Sequence, residues 1–154
     1  LLDLGAMGFM FQGVESAEEA KEIVSWTRYP GEGRRGAMFG GAHDDYAGGD
    51  LPTIMKAANE RTMVMMMIET ERGLANVEEI IAVPGVDGGH LGQFDLSLLL
   101  ATCKANGKFA ACMAPTIETA MEWMGRGFRM VSYSYDSGLM GAHLAEGLNQ
   151  LREV

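Results

Sequence analysis

The stretch that decides the fold reads Met63-Val64-Met65-Met66-Met67-Ile68-Glu69-Thr70. Six consecutive apolar residues that run straight into a carboxylate and a hydroxyl fit a strand buried on both faces, because a strand with one wet face alternates apolar and polar side chains. Strands of that kind belong to parallel sheets covered by helices, and the flanking sequence supplies the helices. Upstream, Asp50 is placed to cap a helix that runs to about residue 59, with Pro52 tolerated in its first turn. Downstream, Asn76 is placed to cap a short helix over 77–82, and the next strand spans 86–91.

The same alternation continues toward both ends. Residues 7–11 form a short apolar strand after the helix stop at Gly5. Ser16-Ala17-Glu18-Glu19 is a capping box, with the Ser16 hydroxyl and the Glu19 carboxylate able to satisfy orphan backbone donors at the start of a helix reaching about residue 28. Tyr29-Pro30-Gly31 stops it, and a Gly-rich segment over 31–49 follows, with a weak strand at 36–40. Toward the C-terminus the pattern predicts helix over 97–106, strand over 108–113, helix over 116–125, strand over 128–133 and helix over 136–152. The reading is an α/β chain with a parallel sheet and too few strands to close an eight-stranded barrel, which typically takes ~250 residues.

Composition narrows the function classes. A net charge of −9, from 12 Lys and Arg against 21 Asp and Glu, would repel a phosphate backbone, so nucleic acid is not an expected partner. No apolar run approaches the ~20 residues that cross a bilayer, and no leader pattern is evident, so a membrane partner is not expected and a cytoplasmic location is. Cys103 and Cys112 are too few for a disulfide framework and fit no zinc spacing. The thirteen methionines read as adaptable core filler. The chain opens on Leu1 without an initiator methionine, at what reads as a helix end, so its start is read as a cut.

In parallel α/β folds functional residues gather at the carboxyl ends of strands. Glu69 ends the strand over 63–68, and Asp95 follows the strand over 86–91 after Gly92-Gln93-Phe94. Consecutive parallel strands are neighbours, so the two carboxylates can converge on one cation, and hard oxygen donors suit Mg²⁺ or Mn²⁺. On pattern alone the alternative stays open that each carboxylate caps the helix after it.

The residues around the pair carry a resemblance. Ile68-Glu69-Thr70-Glu71-Arg72-Gly73-Leu74-Ala75-Asn76, then Gly85-Val86-Asp87-Gly88, then Gly92-Gln93-Phe94-Asp95-Leu96-Ser97 resemble the HpcH/HpaI aldolase family. Arg28-Tyr29-Pro30, Gly33-Arg34-Arg35-Gly36 and Ala58-Asn59-Glu60 extend the match in the same order along nearly the whole chain. The resemblance implies a (β/α)₈ TIM-type barrel, of which residues 1–154 would supply about strands four to eight as one partial domain. It implies a class II aldolase of 4-hydroxy-2-oxo acids, with Glu69 and Asp95 as ligands of Mg²⁺, Mn²⁺ or Co²⁺. The metal would chelate pyruvate and stabilise its enolate, which attacks an aldehyde. Backbone N–H groups of Phe94 and Asp95 would hold the pyruvate carboxylate, and relatives assemble as hexamers.

The chain also departs from the family pattern. The family's general-base histidine and its arginine have no counterpart here, so no catalytic residue is assigned, and His43, His90 and His143 receive no role beyond loop, strand and helix positions. Met67 stands where the family has a substrate-facing glutamine, so substrate contacts at Met67 should differ. The join after Ser97 reads as a deletion or a gap near 98–99. Arg34 and Arg35 are weighed between an anionic substrate end and a structural loop role, Cys112 as a buried hydrophobe, and Trp26 and Trp123 as core. Two competing functions remain: a CoA-ester lyase of the citrate lyase β-subunit type, which shares the acidic pair, and an inactive barrel fragment.

Overall fold

A computed structural model describes residues 1–91 and 96–152. Five parallel strands, β1 (Gly8–Phe11), β2 (Met63–Ile68), β3 (Gly88–Leu91), β4 (Phe109–Ala114) and β5 (Met130–Tyr133), lie in the spatial order of the sequence. The helices are α1 (Ala17–Thr27), α2 (Leu51–Arg61), α3 (Glu71–Ala75), α4 (Val77–Ala82), α5 (Leu96–Ala105), α6 (Ile117–Arg126) and α7 (Asp136–Arg152). Because parallel crossovers share one hand, an order that never reverses keeps the crossover helices on one face. A doubly wound sheet would reverse at a switch point. The result is a curled half-barrel of the (β/α) type.

Register separates the two faces of the sheet. Val64, Met66, Ile68, Leu91, Ala110 and Cys112 point to the helices and form one core with Ala20, Ile23 and Val24 of α1, Ile80 and Ile81 of α4, and Leu99 of α5. Met65 and Met67 pair with Gly88 and His90, and His90 pairs with Ala111, so these residues share the opposite, inner face. The centre of that face is buried at Met65, Met67, His90 and Ala111, whereas Met10, Met113 and Met130 on its flanks are exposed.

The expected elements are present, with shifted edges that have physical causes. Strand β3 begins at Gly88 rather than residue 86, since the Asp87 carboxylate itself accepts the Val64 N–H at 2.7 Å. Strand β5 begins at Met130 because Gly127 and Phe128 finish α6: Gly127 takes a left-handed φ of 114°, and the Phe128 N–H donates to the Trp123 carbonyl at 3.1 Å. The weak strand at 36–40 does not form; that segment loops so that Phe39 lies against Tyr29, with ring centroids 5.6 Å apart. Helix α5 runs unbroken through Leu98 and Leu99. Trp26 is half exposed rather than core, lying under the Arg34 guanidinium, while Trp123 packs edge-on against Phe128 at the core margin.

Candidate active site at the carboxyl end of the sheet

Strand β2 ends on Ile68, whose register partner is Leu91 at the end of β3. Glu69 is the next residue of one chain segment and Gly92 the next of the other, so the described ends of β2 and β3 lead side by side into the two predicted ligand segments. Asp95 and Phe94 lie outside the described residues. Glu69 is exposed, and among the described residues its carboxylate has no hydrogen-bond or ion-pair partner.

The helix-cap alternative for Glu69 is excluded by its neighbour. Thr70 is the N-cap of α3, its hydroxyl accepting the Gly73 N–H at 3.0 Å. Helix α3 was not expected from sequence, although Thr70 three residues ahead of Gly73 carries its signal. Gly73 is required by a close approach: a Cβ there would lie 2.7 Å from the Val14 carbonyl oxygen. The loop after β1 is stitched to this end of the sheet, with the Val14 N–H donating to the Met67 carbonyl at 3.3 Å and the Asn76 side-chain amide donating to the Glu15 carbonyl at 2.9 Å. Asn76 therefore precedes α4 as a tie to that loop and makes no side-chain cap. At α1 the Ser16 hydroxyl caps the Glu19 N–H as expected, but the Glu19 carboxylate accepts from Glu15 rather than from Ser16.

Beneath Glu69 on the inner face sit Met67 and His90. His90 is 3% exposed, and its Nδ1 has no hydrogen-bond partner. Burial pushes its pKa down, with the Glu69 charge opposing the shift, so the ring is held toward its neutral form. Burial also pushes the Cys103 and Cys112 thiols up, which keeps them protonated and removes them as nucleophiles. His143 is exposed on α7, where it approaches Glu146, and His43 is buried within the Gly-rich segment, where its carbonyl accepts from Arg61 ahead of β2.

The remaining family-like blocks serve the other end of the sheet. The buried Arg28 guanidinium donates to the Thr62 carbonyl at 2.8 Å and the Gly85 carbonyl at 3.1 Å, tying the approaches to β2 and β3 together. Asn59 Oδ1 accepts the Tyr29 N–H at 2.8 Å. Arg35 stacks 4.4 Å over the Tyr29 ring and pairs with Asp3 at 2.6 Å, and Arg34 pairs with Glu22. Of the two roles weighed for Arg34 and Arg35, the structural one holds.

Among the described residues no three His, Cys, Asp or Glu side chains could together hold a metal ion. A hard cation takes few protein carboxylates and keeps several waters, so one unpartnered, solvent-facing carboxylate at a strand end fits half of such a site. No described helix is long and apolar enough to cross a membrane.

Comparison with known proteins places this arrangement in a family. The chain is 33% identical over 172 residues to a 4-hydroxy-2-oxovalerate aldolase of Novosphingobium aromaticivorans, covering 99% of this chain and 64% of that protein. It is 32% identical over 158 residues to a 5-keto-4-deoxy-D-glucarate aldolase of Klebsiella pneumoniae, covering 90% of this chain and 61% of that one. The chain thus spans less than two thirds of the length of these relatives. A crystal structure of an HpcH/HpaI aldolase from Desulfitobacterium hafniense superposes with a TM-score of 0.89 at 26% identity, over 99% of this chain and 66% of that one. Macrophomate synthase, at 22% identity and a TM-score of 0.82, shares the fold. The half-barrel, the exposed acid at the end of β2 and a match of the family's sequence pattern over residues 1–140 agree, and the chain belongs to the HpcH/HpaI aldolase/citrate lyase family.

Proposed function

We propose that this chain carries the cation-holding side of an aldolase that breaks or forms the C3–C4 bond of a 4-hydroxy-2-oxo acid, yielding or consuming pyruvate and an aldehyde. The observation that carries the reading is Glu69: an exposed carboxylate at the end of β2, relieved of helix capping by Thr70 and beside the segment that leads to Asp95. Glu69 and Asp95 would hold a divalent cation such as Mg²⁺ or Mn²⁺. When bound, the cation supplies Lewis-acid polarisation of the 2-oxo group. The chain's own residues bind and orient. Backbone N–H groups of Phe94 and Asp95 receive the substrate carboxylate, and Met67 forms an apolar wall where a hydrogen-bonding side chain would otherwise stand. Burial of His90, beside Met67 on the adjacent strand, disfavours a second positive charge near the cation. The group that takes the 4-hydroxyl proton is not assigned to this chain.

Mn²⁺ binding followed by electron paramagnetic resonance tests the ligand assignment. Glu69→Gln and Asp95→Asn should each weaken Mn²⁺ binding by roughly tenfold or more, on the scale of losing a charge-assisted contact. Unchanged Mn²⁺ affinity in both variants would overturn it. The reaction is tested by pyruvate release from a 4-hydroxy-2-oxo acid without CoA, and strict dependence on CoA would favour the ester-lyase branch of the family instead.

A further inference from the structure

Between α5 and α6, over the start of β4, lies a cavity of about 620 Å³, within the size range of small-ligand sites. Its floor is apolar, made by Leu100 of α5, Ala110 of β4, and Trp123 and Phe128 at the end of α6. Four cations line it, Lys104, Lys108, Arg126 and Arg129, and among the described residues no acidic side chain does. In a chain of net charge −9 that segregation is against composition.

The four cations are not equivalent. The Lys108 ammonium donates to the carbonyls of Ile81 and Val83, and Arg126 pairs with Glu122 while lying 4.5 Å over the Trp123 ring. Both of these are engaged. Lys104 and Arg129 have no side-chain partner among the described residues. Cations in the last turn of a helix are favoured by the helix dipole, which accounts for Lys104 and Arg126 without a ligand. It does not account for Arg129, which stands just before β5. Two cations without a side-chain partner among the described residues, lining the same groove as an apolar floor, match a molecule with one anionic end and one hydrocarbon end.

We propose that the groove between α5 and α6 binds a carboxylate bearing an apolar tail. The cationic end of the groove lies away from Glu69: Lys108 and Arg129 precede β4 and β5, whereas Glu69 follows β2, so these ends of the sheet stand apart by the length of a six-residue strand, ~20 Å. The other end of the groove is lined by Leu96 and Ser97, which follow Asp95 in the chain. The tail would displace water from the Leu100, Trp123 and Phe128 surfaces, and Lys104 and Arg129 would receive the carboxylate.

Trp123 reports on the groove directly, and Trp26→Phe removes the other indole. In that background octanoate should change Trp123 fluorescence saturably, and bind more tightly than octanol, which lacks the charge, and acetate, which lacks the tail. Lys104→Ala with Arg129→Ala should weaken octanoate roughly tenfold or more while leaving octanol unchanged. Ala101→Phe, at an exposed groove-lining position, should block octanoate and octanol alike with circular dichroism unchanged. Octanoate binding no tighter than octanol, or undiminished in both the double variant and Ala101→Phe, would overturn the proposal.

Discussion

Replacing Arg28 by methionine tests whether the Arg28-Tyr29-Pro30 block is structural or belongs to the chemistry. Methionine keeps most of the aliphatic stem and removes the donors. Arg28 is 6% exposed and makes two long-range contacts, to the carbonyls of Thr62 and Gly85, that join segments far apart in sequence. Hydrogen bonds to a charged group contribute about 1.5–3 kcal/mol each, and carbonyls left without a donor add to the loss. The 3.8 Å approach to Asp87 adds little, because that carboxylate is 44% exposed and screened by water. The sum is about 3–6 kcal/mol, a large fraction of a typical domain's stability. Urea unfolding followed by circular dichroism measures it. Arg28→Lys should fall between parent and Arg28→Met, since one ammonium cannot reproduce the guanidinium fork. Mn²⁺ affinity of the folded fraction should be unchanged in both. A loss below about 1 kcal/mol, or a loss of Mn²⁺ binding in protein that remains folded, would refute the structural assignment.

Gly73→Ala should destabilise by about 1–3 kcal/mol because its Cβ would press on the Val14 carbonyl, whereas Gly125→Ala, in open space on α6, should stabilise by up to about 1 kcal/mol; thermal melts of the pair decide it. His90 has a depressed folded pKa, so the stability it permits is complete above the unfolded value near 6.5 and is lost as pH falls below it toward the folded value; His90→Phe should flatten the fall of the urea midpoint below about pH 6.5. Cys103 and Cys112 should react with a thiol reagent only at the rate of unfolding, and fast reaction in native conditions would contradict their burial. Met67→Gln should alter pyruvate affinity while leaving Mn²⁺ affinity within about twofold, as expected of a side chain beside the ligands rather than among them.

Much of the fold was legible because its decisive signals are local. Six apolar residues closed by Glu69 give β2 its observed bounds, and Thr116, Ser16 and Asp50 each cap the helix their chemistry announces. What was not legible depends on partners distant in sequence. The Asp87 carboxylate takes a ladder donor from Val64, twenty-three positions away, and so delays β3. Asn76 reaches back to Glu15 instead of capping, and Trp26, apolar by periodicity, lies outside the contact of α1 with the sheet. At the site, the position of Glu69 was legible from strand termination, but the neutral, buried His90 beneath it was not. A histidine inside an apolar run carries no mark of which face it occupies until register assigns it one.

The two ends of the sheet therefore divide the family-like residues between them by whether they tie distant segments together. At the amino end Arg28, Asn59 and Arg35 bond to backbone carbonyls, a backbone N–H and Asp3, and each joins segments distant in sequence. At the carboxyl end the structural duties fall on Thr70, Asn76 and Gly73, and among the described residues the Glu69 carboxylate has no hydrogen-bond or ion-pair partner. An exposed carboxylate with no partner among the described residues, held at a strand end by neighbours that carry the structural contacts, is consistent with the proposed ligand role. Substitutions at the amino end should consequently register as folding free energy, and substitution of Glu69 as binding with little change in stability.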